Sequence, residues 1–144
     1  MKVEFEPEYL ERFKAYVRVE TIIVEALYIL SLMRFGKASK GVKERVLEAL
    51  NSLRDELASF RENRRYKTYA VSILCRDDVN SLDNILTNIQ RLIKIIGGKE
   101  RISDEEYQPL KDFFLNILTR LIKESKPLEE KVIGGVRTPR THHP

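Results

Sequence analysis

The stretch VNSLDNILTNIQRLIKII, residues 79–96, carries apolar side chains at alternating spacings of three and four residues. The main stripe consists of Val79, Leu82, Leu86, Ile89, Ile93 and Ile96, and it is widened by Ile85, Leu92 and Ile95. This spacing is typical of a helix that packs against other helices. We therefore predict a helix over residues 79–96, with an N-cap at Asp77-Asp78 and an end at Gly97-Gly98.

Two helices are predicted before this stretch. The first runs from Pro7 to about Phe35, with Gly36 as its C-terminal cap. Its segment 22–30 is apolar on nearly every side, which indicates burial by other helices or by a second subunit. The second begins near Ser39, a good N-cap residue, and runs to about residue 62. Its apolar stripe is made of Val42, Val46, Ala49, Leu50, Leu53, Leu57 and Phe60.

The segment 66–76 fits helical and strand spacing equally well. A short helix is favoured, because an isolated strand would leave its backbone groups unpaired. Ser103 and Glu106 form a capping box flanked by the hydrophobic staple Ile102 and Tyr107, which predicts the start of a last helix. Pro109 marks either a kink in that helix or its true beginning, and the helix is predicted to stop before Pro127.

The predicted fold is all-α: a bundle of four long helices and one short helix, followed by an extended C-terminal tail. Residues 1–126 form the helical bundle domain, and residues 127–144 form a flexible basic tail. Glu20 and Glu25 approach the apolar part of the first helix, where we expect each to pair with a cation of a neighbouring helix.

Composition excludes several classes of function. The only cysteine is Cys75, and the only histidines are His142 and His143. These residues supply no Ser-His-Asp centre, no Cys/His zinc site and no Glu-x-x-His di-iron bundle. We expect a protein without catalytic residues, metal or cofactor. The longest apolar run, Ile22–Met33, is interrupted by Glu25 and is too short for a bilayer span of about 20 residues. We expect a cytoplasmic protein.

Positive charge is concentrated in two segments of a chain with a formal net charge of +4. The first is 34–45, with Lys37, Lys40 and Lys43. The second is 61–67, which carries Arg61, Arg64, Arg65 and Lys67 together with Tyr66, and Tyr69 follows closely. Cations neutralise phosphates, and aromatic rings stack on unpaired bases, so these segments predict backbone contacts with single-stranded nucleic acid. A solvated helix junction in a charge-rich, heat-adapted protein is the alternative.

The length of the second helix and the surplus of apolar residues indicate how the protein would contact nucleic acid and other subunits. The second helix is about 33 Å long, so the two basic segments are expected at its opposite ends. The series of phosphate contacts made by the two basic segments could be extended by three cations of the tail, Lys131, Arg137 and Arg140. The apolar flanks of the first helix and of the 79–96 helix exceed the need of one bundle, which predicts self-association or docking to other subunits. A larger core is the competing explanation.

Two further functional hypotheses come from different classes. One is a purely protein-binding helical scaffold that self-associates. The other is a ribonuclease, because Arg137 and His142 have the Arg-x4–6-His spacing of a family of helical ribonucleases. In that family the pair lies on a helix, whereas the prolines around Arg137 predict no helix here.

The size of the chain, its bundle pattern over 9–123 and its basic stretches 34–45 and 61–67 resemble the small helical subunits of archaeal CRISPR effector complexes. The resemblance implies a non-catalytic subunit of a nucleoprotein assembly. It also implies contact with the nucleic-acid backbone, made by Arg61, Arg64, Arg65 and Lys67.

Overall fold

The computed structural model describes residues 7–75 and 79–141, which form five α-helices. These are α1 (Pro7–Met33), α2 (Lys40–Glu62), α3 (Tyr69–Cys75), α4 (Val79–Gly98) and α5 (Asp104–Thr141). The predicted all-α bundle of four long helices and one short helix is confirmed. The ambiguous segment 66–76 contributes the short helix α3, while Asp77 and Asp78 lie outside the described residues.

The predicted cap of α1 is confirmed. Gly36 has a φ of +65°, in the left-handed region that favours glycine. Its N–H donates to the carbonyl of Met33 at 3.2 Å, and the N–H of Lys37 donates to the carbonyl of Leu32 at 3.0 Å. These two bonds form a Schellman motif, which satisfies the last carbonyls of the helix. The chain is thereby turned sharply toward α2.

The start of α5 also follows the sequence prediction. The Ser103 hydroxyl accepts a hydrogen bond from the Glu106 N–H at 3.2 Å, and a Glu106 carboxylate oxygen accepts one from the Ser103 N–H at 3.2 Å. Ile102 and Tyr107, the staple residues, are both buried. Because α5 begins at Asp104, Pro109 lies inside the helix rather than at its start.

The end of α5 differs from the prediction. The helix does not stop before Pro127 but continues to Thr141, so the prediction of an extended tail is wrong for residues 127–141. A proline inside a helix costs about 3 kcal/mol, because it removes one backbone hydrogen bond and crowds the preceding turn. Leu121 is buried, and Leu128 packs against the core further along the same inward stripe. This tertiary burial outweighs the local cost of Pro127.

Helices α1 and α5 pack antiparallel along most of the length of α1. Three contacts between the helices define their register. Arg34 Nε donates to Asp104 Oδ1 at 2.9 Å, and the Tyr16 hydroxyl donates to Glu124 Oε1 at 3.1 Å. Lys131 Nζ lies 4.2 Å from the ring centroid of Tyr9. Residue 17 of α1 therefore lies level with residue 123 of α5, and residue 24 with residue 116. Helix α2 is also antiparallel to α1 and lies on another flank, where Arg18 pairs with Glu56 at 2.5 Å.

The core absorbs most of the apolar surplus. Its largest fully buried side chains are Phe114, Ile29, Leu30, Met33, Leu50, Leu53, Leu57, Leu74, Leu82, Ile89, Leu92 and Ile96. The second flank of α4, formed by Ile85, Leu92 and Ile95, is also buried. For the described side chains of α4, burial in a larger core therefore accounts for the second apolar flank. None of the described helices combines the length and the apolar character needed to cross a bilayer.

An arginine that the sequence did not single out fastens α5 to α3. Arg120 donates to the carbonyl of Ile73 at 3.0 Å and to the carbonyl of Leu74 at 3.1 Å. It also donates to Glu124, which in turn accepts from the hydroxyl of Tyr16. The last carbonyls of a helix have no partner within it, so Arg120 supplies bonds that α3 itself lacks. Arg120 and Glu124 together therefore link α5 to α3 and α1.

Candidate nucleic-acid interface

The basic loop, residues 61–67, closes α2 and turns toward α3. All seven of its residues are exposed. Asn63 organises the turn: its N–H donates to the Ser59 carbonyl at 2.9 Å, its side-chain oxygen accepts from the Arg65 N–H at 3.1 Å, and its carbonyl accepts from the Tyr66 N–H at 2.9 Å. The backbone of the basic loop is therefore held by local hydrogen bonds while its side chains face solvent.

The cations of the basic loop differ in how far the protein engages them. Arg61 forms an ion pair with Asp83 of α4 at 3.3 Å. The Arg64 guanidinium lies over the ring of Phe60, 4.9 Å from its centroid, and among the described carboxylates none forms an ion pair with it. Arg65 has no ion-pair partner within the part of the chain described. Arg64 and Arg65 are thus the loop residues best placed to receive an anion.

Two exposed tyrosines accompany these arginines. Tyr66 is 43% exposed, and Tyr69, in the first turn of α3, is 39% exposed. Thr68 fixes that turn, because its hydroxyl accepts from the Val71 N–H at 3.2 Å and donates to Glu56 at 2.9 Å. The Arg12 guanidinium of α1 lies 5.9 Å from the Tyr69 ring centroid, so a further cation joins this end of the molecule.

Sequence reasoning missed Arg12, because its distance from the loop along the chain hides their proximity. Lys131, which the sequence offered as an extension of the positively charged surface, lies near the same end of the molecule. Lys131 lies over the ring of Tyr9 at the same end of α1, although Glu8 and Glu11 of α1 offset part of the positive charge there.

The first basic segment lies at the other end of α2, as predicted from helix length. Lys37 and Lys40 are exposed. Lys43 instead serves the fold, because its ammonium group donates to the Lys99 carbonyl at 2.8 Å just after α4. Lys40 and Lys43 line a cleft of about 580 Å³ between the start of α2 and the end of α4, and Glu44 lines the same cleft. The charge of this cleft is mixed, so the basic loop is the stronger candidate.

The acidic and nucleophilic residues that the structure describes were candidates for a metal site or a nucleophile. Among the residues described, no group of three or more His, Cys, Asp or Glu side chains could hold a metal ion. Cys75 is buried in the core, where no substrate reaches it. Arg137 lies on α5, contrary to the expectation that this segment is not helical, and His142 is outside the described residues.

Glu20 lies at the junction of α1 and α5 rather than in an ion pair. Burial raises its pKa above the ordinary value, a hydrogen bond from Ser125 opposes this, and the negative charge of Glu129 adds to the rise. Its Oε2 atom is buried without a hydrogen-bond partner. The prediction of an ion pair for Glu20 is therefore wrong, because the neighbouring positions of α5 offer a hydroxyl and a second carboxylate.

Comparison of the chain with protein-family models, with curated proteins and with solved structures finds no match.

Proposed function

We propose that this protein is a non-catalytic helical subunit of a nucleoprotein assembly that contacts the backbone of single-stranded nucleic acid through the basic loop. One observation carries the proposal: the basic loop exposes four cations and a tyrosine on a turn that local hydrogen bonds hold in place. The basic loop is also one of the three features, with chain size and bundle pattern, on which the resemblance to the small helical subunits of archaeal CRISPR effector complexes rests.

The chemistry of the loop suits a polyanion. A guanidinium donates a planar pair of hydrogen bonds that matches two phosphate oxygens, and Arg64 and Arg65 both present one. An exposed tyrosine ring stacks on an unpaired base with about 1–3 kcal/mol, whatever the sequence of bases. Tyr66 and Tyr69 are therefore expected to favour single strands, whose bases are free to stack.

A second candidate function is a protein-binding scaffold whose charges serve solubility. It is supported by apolar side chains that α1 leaves exposed, Val24 at 49% and Tyr28 at 61%. Salt separates the two functions: apolar association survives salt, whereas phosphate contacts weaken steeply as counterions compete.

The proposal is tested by fluorescence anisotropy with labelled single-stranded and duplex oligonucleotides across a salt series. The logarithm of the affinity should fall linearly with the logarithm of salt concentration. In the variant Arg64→Ala/Arg65→Ala/Lys67→Ala, three lost phosphate contacts should reduce the slope for a single strand by about 2. Far-UV circular dichroism should stay unchanged, since these side chains are exposed.

The matched control is Arg91→Ala/Lys94→Ala/Lys123→Ala, which removes the same charge from exposed positions of α4 and α5. It should lower affinity only slightly. Absence of binding at low salt would refute the proposal. An equal loss in both triple variants would refute the assignment to the basic loop.

A further inference from the structure

Helix α1 carries an apolar stripe on the side opposite the core. The α1 stripe consists of Val17, Thr21, Val24 and Tyr28, all exposed, with Val17 at 44%. Successive residues of a helix are 100° apart, so these four share one face. The core-facing residues Val19, Ala26 and Leu30 of the same helix are fully covered.

Helix α5 extends this apolar surface. Leu115 and Ile122 are 39% and 52% exposed, and they lie on the flank of α5 opposite Arg120, which faces α3. The register of the two helices places residue 122 level with residue 18 and residue 115 level with residue 25. With the α1 stripe they expose roughly 500 Å², which is within the range of about 300–600 Å² for the largest patch on a typical monomer and smaller than the about 800 Å² per partner of a standard interface.

We infer that the α1 stripe pairs with the same stripe of a second copy, with the two α1 helices antiparallel. The spacings from residue 17 to 21, 24 and 28 are 4, 3 and 4, which read identically in both directions. An antiparallel twofold arrangement therefore sets Val17 against the partner's Tyr28 and Thr21 against the partner's Val24. Uncharged side chains meet at every level, and each contact occurs twice, as it does in a twofold interface.

Helix α5 of each copy fits the same antiparallel arrangement. Because α5 lies on one flank of α1, a twofold axis between antiparallel α1 helices brings both α5 helices to one side. Ile122 then comes within one helical turn of the level of the partner's Leu115. The result is a four-helix contact with an apolar centre.

Charge distinguishes the antiparallel from the parallel arrangement. Arg18 and Glu25 lie on the same flank of α1, and the antiparallel pairing places Glu25 beside the partner's Arg18 twice. Arg18 is already bonded to Glu56 but keeps 40% of its side chain exposed. A parallel twofold pairing would place the two Arg18/Glu25 flanks on opposite sides of the contact, so Glu25 would not lie beside the partner's Arg18. The stripe is therefore complementary to itself in one orientation.

The test is sedimentation equilibrium of nuclease-treated protein, so that it does not depend on the proposed nucleic-acid function. Wild type should show a concentration-dependent mass between 16.9 kDa and twice that value. Val24→Glu/Tyr28→Glu should weaken dimerisation about a hundredfold, because carboxylates would be buried within the contact. Ile133→Glu, also at an exposed apolar position but away from the stripe, should dimerise like wild type.

Cysteine cross-linking tests the orientation. The native Cys75 is buried at 2% exposure and does not compete for the reagent. A tagged Val17→Cys copy mixed with a Tyr28→Cys copy should give the mixed product with a short bismaleimide. Predominant linking of Val17→Cys to itself would overturn the antiparallel arrangement.

Two results would overturn the pairing itself. A monomer at every concentration would assign the stripe to a different subunit, and a dimer unaffected by Val24→Glu/Tyr28→Glu would place the interface elsewhere. Oligonucleotide binding by the basic loop is measured separately, so its failure is distinguishable from either result.

Discussion

Arg120→Met should destabilise the protein by about 3 kcal/mol. Methionine keeps most of the apolar stem but removes the guanidinium, which donates to the carbonyls of Ile73 and Leu74. Hydrogen bonds from charged groups contribute about 1.5–3 kcal/mol each. The two bonds sum to about 3–6 kcal/mol, and because Arg120 is 28% exposed, water replaces part of the loss and the total stays at the lower end of that range. Glu124 keeps the Tyr16 hydroxyl as a donor.

The measurement is urea denaturation followed by far-UV circular dichroism, with the free energy of unfolding taken at constant m value. The melting temperature should fall by about 10 °C, at about 3 °C per kcal/mol for a chain of this size. Lys123→Met, at an exposed position one turn away, is the control and should change stability by less than about 0.5 kcal/mol. A loss below about 1 kcal/mol for Arg120→Met would show that water satisfies these carbonyls, and the argument would fail.

Two further substitutions test local features of the fold. Gly36→Ala should lower the free energy of unfolding by about 1 kcal/mol, because alanine is strained at a φ of +65°. The control Gly98→Ala should not destabilise the protein, because its Cβ would meet nothing within 4 Å. Equal melting temperatures for the two variants would contradict the role of the left-handed conformation at Gly36. Glu20→Gln should raise the free energy of unfolding at pH 7. Burial raises the pKa of Glu20 in the folded state, so its ionised form destabilises the folded protein at a pH above that pKa. Below the unfolded-state pKa near 4.5, Glu20 is protonated in both states and has no such effect. In urea denaturation, the gain in stability of Glu20→Gln should therefore disappear below about pH 4. The exposed control Glu48→Gln should show no such pH dependence. A gain for Glu20→Gln that persists below about pH 4 would refute burial of the ionised carboxylate as its cause.

The features of the fold that the sequence predicted are those determined within a few residues. The Schellman turn at Gly36 and the capping box of Ser103 and Glu106 depend on neighbours three to five positions away, so their residue types announce them. The apolar stripe of α2 is similarly local. Its buried members recur at helical spacing, and they need only some apolar surface opposite them.

The features that it did not predict depend on distant contacts. Pro127 signals a helix end, and only the burial of Leu128 against the core explains why α5 continues. Arg120 lies 46 residues from Leu74, and nothing in either segment shows that they meet. The continued spacing of Leu121, Leu128 and Val132 along one face was the one available signal for the longer helix.

The candidate interface was predicted in part. Composition located the basic loop, because four cations and a tyrosine within seven residues are visible in any sequence. Composition does not show that Arg61 is paired with Asp83, that Lys43 is used by the fold, or that Arg12 joins Tyr69. Those differences decide which cations are available to a ligand, and they arise from helix packing.

The proposed pairing also bears on the separation of the two basic segments. Within one copy the basic loop lies at the start of α1, where Arg12 meets Tyr69, and Lys37 and Lys40 lie beyond its end. Antiparallel α1 helices bring the start of one beside the end of the other, so the basic loop of one copy comes level with the partner's Lys37 and Lys40. Both α2 helices lie on the Arg18 flank, so these cations share one side of the dimer. A strand crossing that side would meet cations from both copies, and association would then increase the number of phosphates neutralised at each end.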